Sequence, residues 1–296
     1  MKLTNTIGVV VDCIWKIIDL PFRVRNAIRR RLSKLALFSN GLHQSDSQAT
    51  FYEAAVKKIV LNKKQFNRFR RVYDYREILE HVNFLQGKIY LDLYLSQSKA
   101  SEANAEIFKV NDKVGRPRRF YYSKIGFISP TTLRYMSVAL DIRERTGSDF
   151  FPRIVEIGGG YGGQANILNL MKAYGNYYIY DLPDVQRLIQ EFSSRMPIDN
   201  LQLPTLSQGQ EKDFDLLISN YAFSELPRAL QIEYLEKVIV RASHGYMLMN
   251  SGLKNSTGRS DGKLTIEELR KYIPNLTVNE EFPKTSPDNY LVTWKP

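Results

Sequence analysis

Apolar residues change their period near residue 150. Upstream they recur at spacings of three and four. Ile7, Val10, Val11, Ile14, Ile17 and Ile18 form one stripe and predict an amphipathic helix. Pro21 ends that helix or begins the next, in which Val24, Ile28, Leu32 and Leu35 face one way and Arg25, Arg29 and Arg30 largely another. Asn40 to Gln48 is polar and reads as a linker. From Ala49 to about Ala105 the helical period returns, carried by Phe51, Ala54, Ala55 and Ile59, then Ile78, Val82, Leu85 and Ile89. Asn111 to Tyr122 has no period and reads as a loop. Ser129-Pro130 then starts a helix that runs to about Arg145 with Leu133, Met136 and Leu140 inward, because serine caps exposed amides and proline fits a first turn.

Downstream, short apolar runs predict strands at Arg153–Ile157, Tyr177–Tyr180, Leu201–Leu203, Leu216–Ser219, Gly245–Asn250, Thr277–Phe282 and Tyr290–Trp294, with helices between the first five. The last two are close enough to form an antiparallel hairpin. The pattern predicts an α/β protein: a mostly parallel, Rossmann-like sheet ending in a hairpin, preceded by an all-helical N-terminal region. The expected divisions are 1–42, basic amphipathic helices; 43–122, a helical subdomain and loop; and 123–296, a cofactor-binding domain.

Charge alters the picture at the N-terminus. The chain has 42 Lys+Arg against 31 Asp+Glu, a formal net charge of +11. Over residues 1–42, Lys2, Lys16, Arg23, Arg25, Arg29, Arg30, Arg31 and Lys34 face only Asp12 and Asp19, so more than half the excess is there. Two readings stay open. The basic helices lie on an anionic membrane surface, or their apolar stripe packs on protein. Lys113, Arg116, Arg118 and Arg119 make a second cluster, either a grip for a phosphate or a solvated face. Cys13 is the single cysteine, which excludes an intramolecular disulfide framework and points to a cytoplasmic protein. No run of eighteen apolar residues predicts a membrane span, and Met1–Trp15 makes a poor signal peptide because Asp12 interrupts it.

Candidate chemistry begins at Ile154-Val-Glu-Ile-Gly-Gly-Gly-Tyr-Gly-Gly163, a β-branched run meeting a glycine cluster, followed by Tyr178-Ile-Tyr-Asp-Leu-Pro183. A turn without side chains lets a nucleoside cofactor lie against the main chain, and an acid ending the next strand accepts hydrogen bonds from ribose hydroxyls. Gly158, Gly160 and Gly163 fit a dinucleotide spacing. Glu156, Gly158, Gly160 and Gly162 fit the E-x-G-x-G-x-G spacing of S-adenosylmethionine-dependent methyltransferases. Glu156 separates them, since a carboxylate there attracts a sulfonium or amino group and repels a pyrophosphate. Asp181 suits either cofactor.

A further segment, Ser219-Asn-Tyr-Ala-Phe-Ser-Glu-Leu226, closes the fourth strand. Together with Glu156–Gln164, Tyr180–Pro183, Gly245–Met247, Asn111-Asp112, Gly115, Pro117, Ser129–Tyr135, Asn289-Tyr290 and Trp294, it resembles the sugar O-methyltransferase family encoded with bacterial surface polysaccharide genes. The resemblance covers about Asn111 to the C-terminus. It implies S-adenosylmethionine as cofactor and a sugar or polysaccharide-precursor hydroxyl as acceptor.

On this reading Glu156, Gly158, Gly160, Tyr161, Gly162, Gln164, Asp181, Leu182 and Asn220 are expected to bind cofactor, Arg134 and Tyr221 the acceptor, and Glu225 to act as general base, with Asp184 a weaker alternative. A carboxylate at a helix start also offsets the helix dipole, so Glu225 has a structural reading too. His244 precedes the fifth strand and is expected at the opposite edge of the sheet; His43 and His81 are expected to be structural. No metal site is expected, and nucleic acid is a less suitable partner. The oligomeric state is not legible. Two rival functions remain: an NAD(P)-dependent oxidoreductase, and a non-catalytic cofactor fold that binds membrane or nucleic acid.

Overall fold

The computed structural model describes residues 44–97, 105–208, 213–250, 263–285 and 289–296. The N-terminal helices expected over 1–42, with Cys13 and His43, lie outside them. The chain forms two compact units, one ending at Ser137 and one spanning Val138–Pro296. The division falls inside a helix, fifteen residues beyond the boundary that composition suggests.

The first unit is mainly helical. α1 (Gln44–Leu61) starts inside the expected linker. The single helical tract expected to Ala105 is broken by capping asparagines. Asn62 Oδ1 accepts from the amides of Lys64 and Gln65 and starts α2 (Lys63–Phe66). α3 (Tyr73–Leu79) follows a 3-10 turn at Phe69–Arg71. Asn83 and Gln86 exchange side chain-to-amide bonds, a capping box that starts α4 (Phe84–Ser96). The expected loop over 111–122 instead ends in β1 (Phe120–Tyr122), which pairs with β2 (Gly126–Ile128) in an antiparallel hairpin. Three-residue strands are too short to show alternation in sequence.

Below the loop lies a buried polar network. Arg70, 0% exposed, pairs with Glu80 and with Asp112 (3.2 Å), and donates to Asn111 O and Ser129 Oγ. Asp112 also accepts from the Ser129 amide and from Thr132 Oγ1. Burial pushes the Glu80 carboxyl up, and the Arg70 charge opposes that rise. Ser129 caps α5 (Pro130–Thr146) as expected, and Leu133, Met136 and Leu140 are buried.

The second unit is a seven-stranded sheet: β3 (Phe151–Ile157), β4 (Tyr174–Tyr180), β5 (Leu201–Gln202), β6 (Phe214–Asn220), β7 (Ala242–Met249), β8 (Thr277–Glu280) and β9 (Tyr290–Trp294). Their spatial order is β5-β4-β3-β6-β7-β9-β8. The first five are mutually parallel; β9 runs antiparallel between β7 and β8. The chain order therefore reverses between β3 and β6, and ligands bind at the carboxyl ends of strands at such a reversal. This is the mostly parallel, Rossmann-like sheet ending in an antiparallel hairpin that the strand pattern predicts.

The linking helices are α6 (Gly163–Leu170), α7 (Pro183–Ser193), α8 (Ala222–Glu225), α9 (Arg228–Lys237) and α10 (Ile266–Tyr272). Among the described residues, a 3-10 turn, Leu206–Gln208, stands where a helix was expected between β5 and β6, and residues 209–212 lie outside them. One face of the sheet carries a hydrophobic core that includes Val155, Tyr178, Leu217, Leu235, Met247, Leu269 and Trp294. Gly245 leaves room for the Trp294 ring, and Trp294 Nε1 donates to Ala242 O at 2.9 Å.

Candidate active site

The site is built where β3, β4 and β6 end. Gly158, Gly160 and Gly162 all have left-handed φ (+81°, +60° and +86°), a region that L side chains rarely occupy. A Cβ on Gly158 would collide with the Ala222 methyl, and one on Gly159 with Ile179. The turn is thus pressed between β6's following helix and β4. It is held open by Gly162 N donating to Gly159 O (2.9 Å) and Gly158 N to Tyr180 O (2.9 Å).

Asp181 closes one side. Its Oδ2 accepts from Gly160 N (3.2 Å) and its Oδ1 from Leu182 N (2.8 Å). The residue is half-buried, and its carboxyl group is enclosed. Burial pushes its pKa up to about 7, against the lowering effect of the Leu182, Gly160 and Gly159 amides. Leu182, 39% exposed, presents an apolar surface beside it.

Glu156 is 1% exposed and accepts from Tyr177 Oη at 2.9 Å. Tyr177 pairs in register with Ile154, so the phenol reaches Glu156 diagonally across the same face. Tyr161 is fully buried, with its ring edge against Phe192 (centroids 5.0 Å apart), which leaves only its main chain facing the turn. Gln164 is buried in the first turn of α6.

At the end of β6, Asn220 is half-buried, and its Oδ1 has no hydrogen-bond partner among the described residues. A buried acceptor left unmatched is costly unless a ligand supplies the donor. Tyr221 follows with φ +73°, strained for a residue with a Cβ. Its hydroxyl donates to Glu281 and lies 3.1 Å from Thr285 Oγ1. Glu281, 3% exposed, also accepts from Thr285 N (3.0 Å), and Asn289 Nδ2 donates to Thr285 Oγ1 (2.8 Å). Sequence reasoning missed Glu281, because in Glu280-Glu281 neither acid announces that it is buried.

Glu225 ends α8. Its Oε1 accepts from Asn250 Nδ2 at 2.8 Å. Enclosure raises its pKa, while Lys263 and the Asn250 bond lower it; the residue as a whole remains exposed, so solvent screens the effect. Ser224 Oγ ties Tyr221 O to Asn250 Oδ1, and Lys263 Nζ donates to Ser224 O (2.6 Å).

The structure therefore gathers Glu156, the glycines, Asp181, Leu182, Asn220, Tyr221 and Glu225 in the second unit. Arg134 belongs to the first unit. It is 3% exposed, with its guanidinium 5.3 Å from the Tyr135 ring centroid, enclosed by protein rather than offered to solvent. Asp184 is taken up by Arg187 at 3.1 Å. His244 sits at the start of β7 against Asp215 O, at the far end of the sheet from the glycine turn. Among the described residues, no three His, Cys, Asp or Glu side chains form a metal cluster, and no helix is long and apolar enough to cross a membrane.

No family model and no curated protein matches the chain. Solved structures do. It is similar to an O-methyltransferase family protein from Burkholderia thailandensis (12% identity, 55% of this chain and 55% of that one, TM-score 0.40). It is also similar to an rRNA methylase from Streptococcus thermophilus (16%, 55% and 96%, 0.39) and to the N-methyltransferase NodS from Bradyrhizobium japonicum (14%, 54% and 93%, 0.41). The chain spans about half the length of the Burkholderia protein.

Proposed function

We propose that the protein is an S-adenosylmethionine-dependent methyltransferase acting on a hydroxyl of a sugar in a bacterial surface polysaccharide or its precursor. The observation that carries the cofactor half is the glycine turn whose space a Cβ on Gly158 would fill, flanked by the half-buried Asp181 and exposed Leu182. The orphaned Asn220 Oδ1 fits a ligand that brings an N–H or O–H donor. The sugar half rests on the family resemblance alone.

Bound S-adenosylmethionine supplies an electrophilic methyl group and a thioether leaving group. The protein's work is binding, alignment and proton removal. Asp181 accepts hydrogen bonds from the ribose hydroxyls, Leu182 covers apolar surface, and Glu156 offers negative charge toward the cationic portion. Glycine at 158, 160 and 162 lets the main chain approach. Tyr221, braced by Glu281 and Thr285, positions the acceptor. Glu225, with its pKa raised, takes the acceptor hydroxyl's proton as the new oxygen–carbon bond forms.

Titration calorimetry with S-adenosylhomocysteine tests the reading. Saturable binding that is lost in Asp181→Ala is expected. Absence of heat, or tighter binding of NAD, overturns it.

A further inference from the structure

A basic cleft lies wholly within the first unit. A cleft of about 590 Å³ is lined by Lys58 from α1, Arg68, Arg71 and Arg116, with Asp74 as its one acid and Val72 and Tyr73 as an apolar wall. An adjoining cleft of about 390 Å³ shares Arg71 and Arg116 and adds Lys113 and Arg119. None of these six cations makes an ion pair among the described residues, whereas Asp112, the acid of the second cleft, is already committed to Arg70.

Two of the cations, Arg71 and Arg116, stand on backbone that is held in place. Arg71 Nε donates to Arg116 O at 2.7 Å, and Arg70 N to Gly115 O at 3.2 Å, which ties the 68–71 turn to the 115–116 loop. Gly115 has φ +81° and lies so close to Phe69 and Arg70 that a Cβ would collide with both. Arg116 itself is held in the left-handed region at φ +49°. The platform beneath is the buried Arg70–Glu80–Asp112 network. Like charges lining one cleft repel, and setting Arg116 on a strained, packed loop costs stability that a bound anion returns. A solvated basic face needs no such scaffold.

We propose that this cleft binds an organic diphosphate. Its volume falls within the roughly 300–1,000 Å³ typical of small-molecule sites and exceeds what one phosphate fills. Forked guanidiniums from Arg68, Arg71 and Arg116 suit bidentate phosphate contacts. The diphosphate is carried either by a soluble nucleoside or by a polyprenyl lipid. The site goes beyond the methyltransferase reading and does not depend on it.

The test is calorimetry of the full chain with inorganic pyrophosphate and with uridine diphosphate, plus co-sedimentation with phosphatidylcholine vesicles with or without a polyprenyl diphosphate. Pyrophosphate binding is expected to weaken about tenfold or more in Arg71→Gln/Arg116→Gln. The same is expected in Lys58→Gln/Arg68→Gln, whose side chains make no described hydrogen bond. It should change less than about twofold in Lys172→Gln/Lys237→Gln, which removes equal charge elsewhere. Tighter binding of uridine diphosphate than of pyrophosphate assigns the soluble carrier; retention only on diphosphate-bearing vesicles assigns the lipid. No pyrophosphate binding, or equal weakening in all three double variants, overturns the site. S-adenosylhomocysteine titrated into the same preparations should bind unchanged, so failure of the cleft and failure of the methyltransferase reading give different results.

Discussion

The Asp181 carboxylate is bonded to the Gly160 amide at 3.2 Å, so the acid that ends β4 and the turn that ends β3 form one unit. A single side chain whose pKa lies near 7 thus joins the ends of the two strands, where the proposed nucleoside would sit. Ribose hydroxyls donate best to the ionised form. S-adenosylhomocysteine affinity is therefore expected to fall about tenfold between pH 8 and pH 6, as a group with pKa about 7 protonates. Asp181→Asn should bind weakly at both. Calorimetry across that range checks it, and a flat profile in the wild type rejects the assignment.

The same shift has the opposite consequence for the uncomplexed protein. Folding raises the Asp181 pKa from 3.8 to about 7, so the folded state holds the proton more tightly. This group's stabilising contribution is complete below about 3.8 and is lost as pH rises through about 7. Relative to Asp181→Asn, wild-type Tm without ligand should decline over that window, measured by calorimetric melting.

Gly158→Ala and Gly147→Ala separate strain from collision. Both glycines have left-handed φ, but a Cβ on Gly147 meets nothing within 4 Å, whereas one on Gly158 strikes Ala222. Gly147→Ala should cost about 1 kcal/mol of backbone strain. Gly158→Ala should cost about 1–3 kcal/mol more and abolish S-adenosylhomocysteine binding. Urea unfolding and calorimetry provide both readouts.

Arg70→Met removes the cation from a buried triad and leaves Glu80 and Asp112 facing each other. Breaking such a group by deleting one partner costs about 3–5 kcal/mol. A loss on that scale in denaturant unfolding is expected, while Arg71→Met, on the exposed side of the same turn, should cost under about 1 kcal/mol.

Glu225→Gln and Glu281→Gln should separate proton removal from bracing. Loss of a general base lowers turnover by about 10²- to 10⁴-fold with cofactor affinity unchanged. That is the expectation for Glu225→Gln, read as labelled methyl incorporated into a sugar ether. Glu281→Gln loosens Tyr221 and should mainly raise the acceptor's KM. The reverse result transfers the base to the Tyr221–Glu281 pair.

Much of the second unit was legible because its signals are local. Val155 and Leu217 sit in strands whose apolar runs are short and bounded by turn residues, and Gly158 to Gly162 carry a spacing that only a tight turn demands. Other features depend on which remote surfaces meet. Glu281 reads as one of two adjacent acids until Tyr221 and Thr285 close on it. Tyr161 reads as a turn residue free to face the cofactor, yet its ring fills the space against Phe192. Asn62 and Asn83 break the helical tract through caps that an apolar period does not register. The β1–β2 hairpin is too short to leave a pattern.

The placement of Tyr290–Trp294 between Met249 and Glu280 makes the final strand a keystone. Among the described residues Thr277–Glu280 pairs with no other strand, so a chain cut before Tyr290 forfeits two strands at once. The bare rim of β7 would then offer its amides and carbonyls to the next molecule, and such a truncation should self-associate rather than merely lose activity.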